Sequence, residues 1–139
     1  RGQRIESWTL WSKALVASRR ASVPKPWPKT WMKRHGLVLL KSWFQGYARG
    51  DWAAFSKGLG GFLKTKLRPP GFRVFWLALF QRFGRIRAYR PKQASWLVRM
   101  KQWLLVYEVR FEKGVHCLHV RAGQQNARWK IVWWQIRRC

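Results

Sequence analysis

The chain has 139 residues, of which 30 are Lys or Arg and four, Glu6, Asp51, Glu108 and Glu112, are acidic, giving a formal charge of +26. So much like charge repels itself in a compact state and calls for an external polyanion, of which nucleic acid, and RNA in particular, is the leading candidate. The 47% apolar and 17% aromatic content, with twelve Trp, excludes a disordered basic tail and suits one folded domain.

Residues 1–35 read as a basic, Trp- and Pro-rich extension, and residues 36–139 as an RNA-binding domain. Trp8, Leu10, Trp11, Ala14, Leu15 and Val16 recur at near-helical spacing, so a short amphipathic helix is expected up to Arg19 and Arg20. An organellar targeting segment and a retained basic tail both have this Arg- and Ser-rich character, and the chain does not separate them. Pro24, Pro26 and Pro28 then demand an extended path. With Lys25, Trp27, Lys29 and Trp31 along it and Lys33 and Arg34 after it, that path suits threading over RNA better than a flexible linker.

Residues 46–51 are turn-like and carry Arg49, and residues 52–55 begin a strand. Residues 57–63 continue it past Gly58, Gly60 and Gly61, which signal a bulge or the close approach of another backbone, with Lys57 at its edge. Pro69-Pro70-Gly71 opens a helix over residues 72–83, closed by Gly84 with Arg82 in the last turn. That helix is apolar nearly all round, which predicts burial on a sheet, with Trp76 in the core. Residues 85–89 alternate as a strand with Arg85 and Arg87, until Pro91 breaks it between Arg90 and Lys92. A basic cluster follows over residues 96–101, with Arg99 and Lys101 in a loop, where function concentrates.

Strands over residues 103–111 and 115–121 meet at the turn Glu112-Lys113-Gly114. Residues 124–138 read as a closing helix, with Ala127, Ile131, Trp134 and Ile136 on its inner side and Arg137 and Arg138 at its C-terminal dipole. The resulting fold class is α+β: two helices packed on a mostly antiparallel sheet, with a basic extended N-terminal tail. Lys57, Arg99 and Lys101 are expected together on one RNA-facing side.

Catalytic, cofactor and metal sites have little to stand on. Glu108 and Glu112 flank Arg110, which reads as a salt-bridged edge rather than an acid/base pair. Gly58, Gly60 and Gly61 lack the following Lys-Ser/Thr of a nucleotide-binding loop. Alternation puts His116 on the opposite face from Cys117 and His119, so no zinc set forms. A bridge between Cys117 and Cys139 is open but unforced, and a reducing compartment fits two cysteines better. The longest apolar run, residues 74–80, is far short of the roughly 20 residues that cross a bilayer. The chain reads as a non-enzyme that binds no membrane and forms no homo-oligomer. Peripheral membrane binding and a nucleoid-type DNA binder are the alternatives from other classes.

The run Gly46, Ala48-Arg49-Gly50, Ala53-Ala54-Phe55, Lys57-Gly58-Leu59 resembles one of the bacterial-type large-subunit ribosomal protein L-sixteen family. Residues 106–123 are similar to that family's last hairpin, which ends in Gly before a helix. Asn126-Ala127-Arg128 falls where the helix carries a comparable pattern. The resemblance covers about residues 33–138. It departs from the family at residues 72–83, which lack the acid of an Ile-Glu-Ala-x-Arg-Arg helix, and at Arg99-Met100-Lys101, where a Gly/Lys-rich loop has lost its Gly. The resemblance implies a structural constituent of the ribosome, binding large-subunit rRNA near the region that accepts tRNA. Its partners would be ribosomal RNA, neighbouring ribosomal proteins and tRNA. The drift towards Trp points to the mitochondrial matrix. A lineage-specific mitochondrial ribosomal protein without a bacterial counterpart is the alternative.

Overall fold

The computed structural model describes residues 22–139; the helix expected up to Arg19 and Arg20, with Trp8 and Trp11, lies outside them. Five strands, β1 (Ser22–Lys25), β2 (Ile86–Leu97), β3 (Gln102–Phe111), β4 (Gly114–Gln125) and β5 (Arg128–Arg137), form one antiparallel sheet in the order β1-β2-β3-β4-β5. All four helices lie in the sequence between β1 and β2. The class is α+β as expected, with four helices among the described residues in place of the expected two.

Directly after Pro28 the chain enters α1, which runs unbroken through Lys29–Trp31, a π-helical stretch Met32–Gly36, and Leu37–Arg49. Leu39, Leu40, Trp43, Phe44 and Tyr47 are buried at the i, i+1, i+4, i+5, i+8 spacing of a core-facing stripe. The boundary expected at residue 35 thus falls inside a helix. Residues Ser22–Lys25 are extended, as the prolines require, and pair with Ala94–Leu97.

Gly50, at φ 62°, stops α1, a conformation that favours a residue without Cβ. Asp51 then accepts the Ala53 N–H at 3.0 Å and starts α2 (Trp52–Ser56). Residues 52–55 are therefore helix and not strand: the Asp cap and two alanines outweigh the β preference of the flanking aromatics. Residues 57–63 form no strand of the named set either. Leu59 makes a single parallel bridge to Ile131, with Gly60 N–H donating to the Ile131 carbonyl at 2.8 Å and Ile131 N–H to Gly58 at 2.7 Å. The glycines do mark a close approach, since a Cβ on Gly58 would lie 3.2 Å from the Leu39 Cα. Helix α3 (Gly61–Lys66) follows at once.

Helix α4 (Pro69–Phe83) starts three residues earlier than the spacing predicts, because Pro69 and Pro70 occupy first-turn positions that need no N–H donor. It ends at Gly84 as expected. It is not interior all round. Phe72 and Phe83 are buried, while Val74 and Leu77 are exposed, because the helix packs through a single stripe. That stripe is tied to α1 by two hydrogen bonds. The Trp76 indole donates to the Tyr47 carbonyl at 2.7 Å, and the Tyr47 hydroxyl donates to the Gly84 carbonyl at 2.8 Å. Burial, with Glu112 nearby, pushes the Tyr47 phenol up to about 12.

Two strand expectations also change. Pro91 does not break β2; a register shift between Pro91 and Gln93 absorbs it. Since β1 pairs only with Ala94–Leu97, the outer side of β2 at Pro91 is a free edge, where a missing N–H costs no ladder bond. The closing helix is instead β5. Asn126 (φ 52°) and Ala127 (φ 62°) make a two-residue turn between Gln125 and Arg128, and Ile131-Val132-Trp133-Trp134 is rich in strand-forming residues.

Candidate nucleic-acid interface

Alternation along the strands divides the sheet into two faces. Leu105, Tyr107, Val109 and Phe111 of β3 and Leu118, Val120 and Ala122 of β4 join the core under the helices. Trp134 of β5 completes it, 5.3 Å from the Trp43 ring. The opposite face carries Arg90 and Lys92 of β2, Val106, Glu108 and Arg110 of β3, Cys117, His119 and Arg121 of β4, and Trp133, Gln135 and Arg137 of β5. Among the described residues no helix lies on it.

Contacts across this second face agree with the alternation. Arg90 is ion-paired with Glu108. Lys92 Nζ lies 3.7 Å from Cys117 Sγ. The Arg121 and Arg137 guanidinium carbons stand 4.9 and 5.6 Å from the Trp133 ring centroid. Arg137 Nε also donates to Gln135 Oε1 at 2.7 Å. Cys117 is joined to Cys139 by a disulfide across 22 residues, so the chain after β5 is tied back to β4 and the bridge that the sequence leaves open is formed.

The face is cationic with almost no internal relief. Glu108 is its one acidic side chain among the described residues, and it is taken by Arg90. Elsewhere, Asp51 caps α2, and Glu112 pairs with Arg87 at 3.7 Å and with Arg85 at 4.0 Å while accepting the Arg85 N–H. Glu108 and Glu112 thus reach across to β2 rather than to the Arg110 between them. Burial, then the charges of Arg137 and Lys92, hold the His119 imidazole below its usual range, so it is neutral at physiological pH. Burial also lowers the Arg121 guanidinium, which stays charged because it starts so high.

The structure scatters the sequence-expected cations over several parts of the fold. Lys29, Lys33 and Arg34 are exposed on the first turns of α1, and Lys25 on β1. Arg49 is exposed at the C-terminal end of α1. Arg87, Arg90 and Lys92 line the exposed part of β2, and Arg85 stands just before it. Arg99 and Lys101 occupy the β2–β3 turn, and Lys57 lies beside β5, where its carbonyl accepts from Lys130 Nζ at 3.4 Å. That turn, the β4–β5 turn and Lys57 share one end of the sheet, so the three cations expected together stand at a common end, separated by the width of the strands between. Arg19 and Arg20 lie outside the described residues.

Trp27 and Trp31 turn inward more than their placement in an RNA-threading segment implies. Trp27 stands edge-on to Tyr107 at 5.2 Å, and Trp31 is 5.2 Å from Trp129 and 6.1 Å from Trp103. Both are half-buried against the core. Arg110, His119, Arg121, Trp133 and Arg137 were missed. Reading β5 as a helix hid Trp133 and Arg137, although Glu108/Arg110 and Cys117/His119/Arg121 already alternate in the sequence with the residues that form the core. The chain matches no protein-family model, no curated protein and no solved structure.

Proposed function

We propose that this protein is an RNA-binding structural constituent of the ribosome, a large-subunit rRNA-binding protein of mitochondria. The observation that supports RNA binding best is the helix-free sheet face, where Arg90 takes the one acidic side chain, Lys92, Arg110, Arg121 and Arg137 have no acidic partner among the described residues, and Arg121 and Arg137 lie against the Trp133 indole. Unpaired guanidinium and ammonium groups on a broad surface neutralise phosphates and release counterions, which supplies most of the affinity for nucleic acid. Exposed Lys33, Arg34, Arg99 and Lys101 on other sides suit a protein surrounded by its partner rather than docked by one patch. The ribosomal assignment, and a place near the tRNA-accepting region, rest on the resemblance to the L-sixteen family. Asn126-Ala127-Arg128, which that resemblance puts on a helix, here spans the last hairpin turn and the first residue of β5.

Binding to an anionic lipid surface is the second reading. It is favoured by Phe62, Val74 and Leu77, which are 67%, 71% and 45% exposed close to Lys64, Lys66 and Arg73. No helix among the described residues is long and apolar enough to cross a membrane. Sedimentation of the native protein separates the readings. Co-migration with large ribosomal subunits, resistant to detergent and lost after ribonuclease, is expected; flotation with anionic vesicles in place of that co-migration would refute the ribosomal reading.

A further inference from the structure

On the RNA-binding reading, we infer that Arg121, Trp133 and Arg137 form a stacking subsite for an unpaired nucleobase of single-stranded RNA. Arg121 and Trp133 are direct cross-strand partners on β4 and β5, so the guanidinium rests against the ring at 4.9 Å as a consequence of register. Arg137, two strand repeats on, reaches back to the same ring at 5.6 Å. No carboxylate engages Arg121 or Arg137 among the described residues. Arg121 Nε is buried with no hydrogen-bond partner among the described residues, and its Nη1 meets the Met100 sulfur at 3.5 Å. A guanidinium held by an aromatic ring and not spent on an acid keeps its unburied donors, and the flat face turned away from the ring, for a ligand.

The neighbouring positions narrow the ligand class. Gln135 gives its Oε1 to Arg137, which leaves its amide N–H groups for an acceptor. His119, opposite Gln135 in the register, adds a neutral hydrogen-bonding ring rather than another charge. A base carries what this set lacks: a π-face for stacking and edge acceptors for the donors. Duplex RNA keeps its bases stacked inside and offers proteins mainly phosphates and 2′-hydroxyls, whereas single strands present splayed bases to aromatic rings and Arg planes. An indole with two guanidinium groups against its ring, on a sheet face, fits the second kind of target.

The test compares three fluorescein-labelled probes by anisotropy with the full, oxidised chain: a ten-nucleotide oligoadenylate, an abasic RNA of the same length, and a ten-base-pair RNA duplex. The oligoadenylate should bind about 10-fold more tightly than the abasic strand, the scale of one base–aromatic stack. Trp133→Leu and the charge-conserving Arg121→Lys should each remove that difference, read as the ratio of the two affinities within one protein, with melting temperatures checked to exclude misfolding. Equal binding of oligoadenylate and abasic strand, tighter binding of the duplex, or Arg121→Lys indistinguishable from wild type would overturn the subsite while leaving RNA binding intact. Failure of the wild type to bind any of the three at low salt would overturn both readings.

Discussion

Replacing Gly46 by Ala tests the helix crossing on which the helical layer depends. A Cβ at Gly46 would lie 2.4 Å from both Cα and Cβ of Phe55 and 2.5 Å from its backbone nitrogen. The obstacle is backbone near the C-terminal end of α2, so relief requires α1 and α2 to separate by about 1 Å at a point where Phe55 is 1% exposed. Overpacking of this kind costs about 1–3 kcal/mol, at the upper end where backbone must move. The better helix propensity of Ala returns up to ~1 kcal/mol. The net loss expected is about 2 kcal/mol, or a fall of roughly 6 °C in Tm for a domain of this size. Gly61→Ala is the control: it sits in the first turn of α3, and an added Cβ would meet nothing within 4 Å, so its Tm should be unchanged or slightly higher. Thermal melts by circular dichroism at moderate salt decide the matter. A Gly46→Ala protein that melts at or above wild type would refute the close crossing of α1 and α2.

Three further outcomes are expected. Tyr47→Phe removes the hydroxyl that satisfies the buried Gly84 carbonyl and should cost about 1–2 kcal/mol in urea denaturation; no change in midpoint would mean the carbonyl finds water instead. His119 is depressed in the folded state, so the unfolded chain binds the proton first as pH falls. Stability should be flat above about pH 6.5 and decline below it towards the folded value. His119→Gln should remove this component, and identical pH profiles for the two proteins would contradict it. Arg110→Gln, on the helix-free face and outside the ion pairs, should reduce the slope of log K against log salt for single-stranded RNA by about 0.7, and an unaltered slope would take Arg110 off the phosphate path.

What the sequence made legible was local and chemical. Pro69-Pro70 and Gly84 bracket α4 because caps and prolines act within a turn, and the Glu112-Lys113 hairpin follows from short-range turn chemistry. Gly58 announced a backbone approach without saying whose. β5 escaped for a specific reason: a register shift opposite Arg121 and Ala122 inserts an extra residue. The helix-facing side chains then fall at Trp129, Ile131, Trp134 and Ile136, with the three-residue step from Ile131 to Trp134 imitating a helical stripe. Once that strand was read as a helix, Trp133 had no cross-strand neighbour, and the arginines around it looked like ordinary surface charge. Trp52–Ser56 failed differently, since Asp51 can cap a helix or open a turn, and its cap on Ala53 outweighs the strand preference of the aromatics on either side.

The position of β1 has a consequence for the order in which the molecule assembles. Strands β2 to β5 are joined by turns of a few residues, so their pairing is local and fast, whereas Ser22 meets Leu97 only after the four helices have been folded back between them. Loop closure over that separation is slow compared with hairpin formation. β1 is thus expected to dock late, and its amides to exchange with solvent from the native state before those of the central strands. During synthesis, a chain released before residue 97 holds Ser22–Lys25 without a strand to pair with, and helices α1 to α4 without a sheet to lie on.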